Sequence, residues 1–140
     1  MLRFALPLAA IAAVAVTGCT TTTTSNDSSG KFSGEQRLVA NTVEDFESAA
    51  AKGDQDRICR GLLAKPLIAT YAERGGTCAK AVDGALKDSD SFGLTVESVR
   101  IAANTATARV KADRGKHDVL RDLTLVKEGP GWRISAFGSG

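Results

Sequence analysis

The sequence of 140 residues has few aromatic residues, few cysteines and a single histidine, and these shortages exclude several classes of function. One His and three Cys are too few and too widely spaced for a four-ligand zinc site, so no metal is expected. Lys and Arg number 18 against 16 Asp and Glu, with no basic stripe and no known nucleic-acid-binding motif, so no nucleic-acid partner is expected. The chain also lacks a phosphate-cradling loop and a nucleophile elbow, and no cofactor is expected.

The chain begins with the layout of a secretory signal. Arg3 precedes an apolar run over residues 4–16, which is shorter than the roughly 20 residues that a membrane-spanning helix needs. The run ends in the motif Val-Thr-Gly-Cys, which closes at Cys19 and resembles the lipobox of bacterial lipoproteins. The resemblance implies a signal peptide over residues 1–18, cleavage before Cys19, diacylglycerol on its sulfur and further acylation, as by palmitate. It places the chain at the extracytoplasmic face of the cell membrane; an uncleaved anchor or an ordinary signal peptide is the alternative.

Two cysteines remain once the lipid has taken Cys19. An even pair in a compartment outside the reducing cytosol predicts a disulfide between Cys59 and Cys78. Closing a loop of about 20 residues stabilises a fold by about 3 kcal/mol on the chain-entropy account. Two buried free thiols are the alternative if the chain stays in the cytosol.

The rest of the chain divides into a tether and one domain. Residues 19–32 are rich in Thr and Ser and contain almost no large apolar side chain, which is typical of a flexible, solvated spacer. Residues 33–138 are long enough for one domain with its own core, helped by a disulfide.

Helical signals fill the first half of this domain. Ser33 and Gln36 have the spacing of a capping box, and apolar residues recur at helical spacing until Gly53. Asp54 or Asp56 can begin a second helix, which carries Cys59. Pro66 prevents a regular continuation, and the chain is expected to resume as a short helical turn. Thr77 can begin a further helix with Cys78 in its first turn.

The second half of the domain changes to the pattern of strands. Four segments rich in β-branched and apolar residues, at 94–102, 105–112, 119–126 and 132–137, are separated by turn-forming residues. Apolar and polar residues alternate over 105–112, as in a strand with one solvated face. Helices followed by strands joined by short links predict an α+β domain, with N-terminal helices packed on a four-stranded antiparallel sheet.

This order of elements resembles the nuclear transport factor 2-like (NTF2-like), or cystatin-like, superfamily. Small extracytoplasmic lipoproteins of actinobacteria resemble it too, with one cysteine in the second helix and another after a Gly-rich turn, as at Cys59 and Cys78, and with a final strand that begins Trp-Arg-Ile, here at Trp132. The resemblance implies a cone-shaped fold whose sheet curves around a helix and leaves a pocket at its open end. The superfamily usually has a short strand after the second helix, and residues 67–71 are a poor candidate for it.

Two functions are compatible with this fold. The first is a non-catalytic lipoprotein that is held on the membrane by its lipid and binds an envelope protein or a small apolar ligand. The second is a cavity enzyme of the isomerase or dehydratase type, in which Asp122, Tyr71 or His117 transfers a proton. Tyr71, Asp122 and Trp132 are the candidate pocket residues, and Asp122 is suspected first because the apolar Leu120 shares its predicted strand face. The blander interpretations place His117 in an exposed turn and Asp122 on a solvated strand face beside a basic neighbour.

Overall fold

The computed structural model describes residues 28–89 and 92–138. The predicted signal peptide and the lipidation site at Cys19 lie outside these residues. Within the described ranges, no helix has both the length and the apolar character that a membrane span requires.

The first helix, α1, covers Gly34–Ala51, as the spacing of apolar residues predicts. Its buried side consists of small and β-branched residues: Val39, Ala40, Val43, Ala49 and Ala50. The predicted capping box does not form, because the Ser33 side chain makes no cap hydrogen bond. The Gln36 amide instead donates to the carbonyl of Val99, 3.0 Å away, and so ties the start of α1 to the sheet.

Three shorter helices follow. The α2 helix (Gln55–Arg57) begins at Asp54, whose carboxylate accepts a hydrogen bond from the Arg57 amide at 3.0 Å, and it continues into a π-helical turn over Ile58–Leu62. The α3 helix (Lys65–Glu73) carries Pro66 in its first turn, where the missing N–H leaves no helical bond unmade. This segment is therefore a nine-residue helix, longer than the short turn that the sequence predicts.

The last helix, α4 (Cys78–Lys87), begins where predicted. The hydroxyl of Thr77 accepts a hydrogen bond from the Lys80 amide at 3.2 Å, which satisfies one of the unpaired donors of the first turn. Its apolar side turns toward the sheet and contains the buried Cys78 and Val82.

The four strands form an antiparallel meander in the order β1-β2-β3-β4, which confirms the predicted α+β architecture. They cover Leu94–Ala102 (β1), Thr105–Asp113 (β2), Asp118–Glu128 (β3) and Gly131–Phe137 (β4). The β3–β4 turn contains Gly129 at a φ of 59°, in the left-handed region that favours glycine. The register shifts between Val96 and Ser98 and again between Thr124 and Leu125, and such irregularities bend strands locally.

The helices cover one face of this sheet, and the other face is solvated. In β2 the buried residues Ala106, Ala108 and Val110 alternate with exposed ones, which confirms the predicted two-sided pattern. The same alternation in β3 buries Leu123 and Leu125. Residues of β3 that are an even number of positions from Leu123 therefore point toward the helices.

The folded body extends further toward the N-terminus than residue 33. A 3₁₀ turn over Ser29–Lys31 packs on α1, and both Ser28 and Ser29 are buried. The Ser28 hydroxyl donates to the Glu44 carboxylate at 3.2 Å and accepts from the Val96 amide at 3.0 Å. Residues 28–32, which the composition assigns to the tether, thus belong to the domain because their polar groups find partners on α1 and β1.

Candidate functional site

A cavity of about 440 Å³ lies between the inner face of the sheet and the helices. Pockets that hold small organic ligands typically span about 300–1,000 Å³. The walls are mainly apolar: β2 and β3 contribute Val110 and Leu123, α4 contributes Val82 and Leu86, and Phe46 and Phe137 close one side. The two rings of that last pair contact each other, with their centroids 5.4 Å apart.

Small side chains explain why this space is not filled. Alanines from three elements line it, Ala50 from α1, Ala81 and Ala85 from α4, and Ala112 from β2. The cavity opens to solvent, since several of its lining residues are exposed, and a larger side chain at any of these alanines would narrow it. The short side chains of these alanines leave space between the helices and the sheet.

A disulfide fixes the helical wall of the cavity. Cys59, in the π-helical turn, is bonded to Cys78, the first residue of α4, with 6.0 Å between their Cα atoms. The loop that the bond closes contains all of α3, which contributes Tyr71 to the cavity. The predicted pairing is therefore present in the structure, and it ties α4, which lines the cavity, to the π-helical turn.

Arg121 is the most distinctive polar residue of the cavity lining. It belongs to β3, two residues before Leu123, and so points to the helical side of the sheet. Its Nε is buried, and within the described residues it has no hydrogen-bond partner. One Nη donates to the carbonyl of Gly138 at 3.5 Å, the long limit for such a bond. A buried donor without an acceptor costs free energy, so this guanidinium can donate hydrogen bonds to an anion that enters the cavity.

The structure separates the three residues that the sequence grouped as a pocket. Tyr71 is half-buried and lines the cavity. Asp122 lies on the open face of the sheet, where its carboxylate is 3.3 Å from the Arg109 guanidinium and about half of its side chain is exposed. Its neighbour Leu120, which suggested a buried face, is itself 53% exposed.

Trp132 is buried at a different place, against the start of α1. Its indole N–H donates to the Glu35 carboxylate at 2.8 Å, and the Lys127 ammonium lies 5.7 Å from the centre of its rings. The hydrogen bond from Lys127, and after it the one from Trp132, holds the pKa of Glu35 below its ordinary value. This cluster links the first helix to the β3–β4 hairpin and contributes nothing to the cavity lining.

His117 is exposed in the loop between β2 and β3, where its backbone carbonyl accepts from the Arg114 amide at 3.2 Å. It does not line the cavity, so of Asp122, Tyr71 and His117 only Tyr71 does so. Asp88, Asp113 and Arg114 also contribute to the lining, at exposed positions toward solvent.

Glu47, on α1, has a carboxyl group that is partly buried. Burial raises the pKa of Glu47, while a hydrogen bond from the Leu94 backbone and the charge of Glu44 act on it less strongly. It faces the start of β1 and is not among the residues that line the cavity. Among the described residues, no group of His, Cys, Asp and Glu side chains is arranged to hold a metal ion.

Arg121 and the lining alanines were not predicted as pocket residues, although the sequence contained a signal for Arg121. In β3, odd-numbered positions hold Leu123 and Leu125, and Arg121 continues that series. Comparison with known proteins adds no identification: no family profile, no curated protein and no solved structure matches this chain.

Proposed function

We propose that this protein is a lipid-anchored extracytoplasmic lipoprotein whose NTF2-like domain binds a small, mainly apolar ligand without catalysing a reaction. The observation that carries the binding role is the cavity of about 440 Å³ with predominantly apolar walls. Removing apolar ligand surface from water there supplies the driving force for binding, at about 25 cal/mol per Å² buried.

The distribution of acid and base groups favours binding over catalysis. An isomerase or dehydratase needs at least one proton-transfer group beside the substrate, and usually a second group to stabilise the developing charge. Asp122 is paired with Arg109 on the far face of the sheet, and His117 is in an exposed loop, so Tyr71 would have to act without either. The two carboxylates that do line the cavity, Asp88 and Asp113, are exposed to solvent and not desolvated beside a substrate.

The assignment to the NTF2-like type has support in the arrangement of the elements. Helices precede a four-stranded antiparallel meander, two register shifts bend its strands, and the cavity lies between the two layers. The proposed location agrees with the Cys59–Cys78 bond, because disulfides persist in oxidising compartments.

The anchor can be tested by expressing the full chain in a bacterial host supplied with labelled palmitate. We expect label in the mature protein, loss of residues 1–18, and recovery with the membranes. Cys19→Ala should abolish both labelling and cleavage. Unlabelled protein that keeps its leader and is recovered from the cytosol would refute this part of the proposal.

The binding role can be tested with a neutral apolar fluorophore, N-phenyl-1-naphthylamine. We expect saturable binding to the wild-type protein, and its loss in Ala85→Trp, since the larger side chain would occupy the cavity. Ala79→Trp is the matched control, because Ala79 lies on the same helix and is exposed outside the cavity lining. Equal binding to both variants, or no binding to the wild type, would contradict a ligand-binding cavity.

A further inference from the structure

The cavity has an uneven distribution of charge, and this distribution identifies a class of ligand. Apolar side chains form most of its walls. The cationic Arg121 lies on β3, the strand that also contributes Leu123 to the lining. A charged side chain at such a position is rare unless it is paired. Yet the Nε of Arg121 has no acceptor within the described residues, and the bond from its Nη to Gly138 is long.

Within the described residues, the guanidinium of Arg121 makes one hydrogen bond, the long one to Gly138, and no ion pair. On the opposite face, Arg109 pairs with Asp122 across β2 and β3, as solvated strand residues commonly do. An apolar residue at 121 would continue the buried series of Leu123 and Leu125 and would remove the unsatisfied donor. An arginine facing the cavity is therefore better explained by something that enters it.

We infer that the cavity binds an aliphatic monocarboxylate, with the alkyl chain among the apolar walls and the carboxylate on the guanidinium of Arg121. This inference rests on the proposed function, because it requires that the cavity hold a ligand. A guanidinium presents its N–H donors in a planar fork that matches the two oxygens of a carboxylate. The pairing gives the buried donor an acceptor and neutralises the charge.

The other charges of the lining favour a monoanion over a phosphate. Asp88 and Asp113 lie toward solvent at the same cavity, and Arg114 is exposed there as well. A doubly charged phosphate would meet repulsion from these carboxylates, with Arg121 as its one half-buried cation in the lining. A monoanion carries one negative charge, which the guanidinium of Arg121 neutralises, so no unpaired charge has to be removed from water.

The test is calorimetric titration of the purified full-length protein with decanoate, decanol and decyl phosphate, the two anions below their micelle concentrations and decanol below its solubility limit. We expect decanoate to bind more tightly than either of the others. Across octanoate, nonanoate and decanoate, affinity should rise about fourfold per added methylene, the gain expected from burying one CH₂ group. Decyl phosphate binding more tightly than decanoate would overturn the assignment of a carboxylate.

Two arginine variants locate the charged contact. Arg121→Met keeps an apolar stem of similar length and should weaken decanoate binding about 10- to 150-fold, the usual range for a lost hydrogen bond to a charged group. It should leave decanol binding unchanged, which also demonstrates that the cavity is intact. Arg109→Met, on the neighbouring strand and the opposite face, should change neither affinity.

The outcomes distinguish the two proposals. If neither decanoate nor decanol binds, the ligand-binding function itself fails. If decanol binds as tightly as decanoate, or Arg121→Met binds decanoate as well as the wild type does, the cavity binds apolar ligands but the carboxylate inference is wrong.

Discussion

Removing the Cys59–Cys78 bond should destabilise the domain mainly through its unfolded state. The bond joins residues 19 positions apart, so it restricts an unfolded loop of about 20 residues. On the chain-entropy account such a loop contributes about 3 kcal/mol to the free energy of unfolding at 25 °C. For a domain of about 100 residues, each kcal/mol corresponds to at least about 4 °C, so the melting temperature should fall by about 12 °C or more.

The measurement compares Cys19→Ala with Cys19→Ala/Cys59→Ala/Cys78→Ala by thermal unfolding followed by circular dichroism. The shared Cys19→Ala background removes the third thiol, so that no exchange can occur. The reduced Cys19→Ala protein is a second route to the same state and should melt close to the triple variant. A triple variant that melts within about 3 °C of its parent would refute the loop-closure reasoning, because the chain-entropy account predicts a decrease about four times as large.

The loss should also be uneven along the chain. The α3 helix lies inside the closed loop, and none of its residues is fully buried, so its position depends on the bond more than on packing. Hydrogen exchange in Lys65–Glu73 should accelerate in the triple variant well before exchange in β2, whose inward residues are fully buried. Equal acceleration in both elements would show that the bond stabilises the domain as one unit.

Three further substitutions test other features of the structure. Asp122→Asn should change the free energy of unfolding by less than about 1 kcal/mol in urea titrations, since its pair with Arg109 is half exposed and screened by water; a larger loss would mean that the pair is structural. Glu47→Gln should stabilise the protein at pH 7 and not at pH 3. Burial raises the pKa of Glu47 above its ordinary 4.5, because the ionised carboxylate is less stable in the folded state than in the unfolded state. This loss of stability is present at pH 7, where the carboxyl is ionised, and is absent at pH 3, where it is protonated in both states. Melting curves at the two pH values check the sign. Gly138→Ala should lower the melting temperature, because a Cβ there would overlap the carbonyl oxygen of Asp122, whereas Gly131→Ala has open space and should be close to neutral.

The order and type of the elements could be predicted because each has a local cause. Asp54 and Thr77 begin helices through side-chain hydrogen bonds that span three residues, and the strands follow from an alternation of period two. The length of α3 was underestimated, and this error has a local cause as well. Pro66 indicates a break in the preceding helix, but at the second position of a new helix it is well tolerated, and the sequence alone does not say which applies.

The cavity residues could not be predicted in the same way, since they depend on contacts between distant parts of the chain. Trp132 was predicted to line the pocket, but its indole N–H donates a hydrogen bond to Glu35, 97 residues earlier, and that pairing leaves no local trace in the sequence. Asp122 was chosen because Leu120 suggested a buried face. A leucine on the open side of a sheet is ordinary, however, because much of any protein surface is apolar.

The disulfide and the cavity have a common structural basis. A cavity of about 440 Å³ that opens to solvent leaves its apolar wall residues without packing partners, so helices that were free to shift would close onto the sheet and narrow it. Two constraints oppose this collapse: α1 is tied to the sheet through Gln36, and α4 is bonded at its first residue to the π-helical turn through Cys78. Alanines at Ala50 and Ala85 then leave space between elements that cannot approach further. A bond that adds stability to the fold would on this account also preserve the shape of the site, and the free energy lost by keeping the cavity open would be recovered when a ligand of matching size enters.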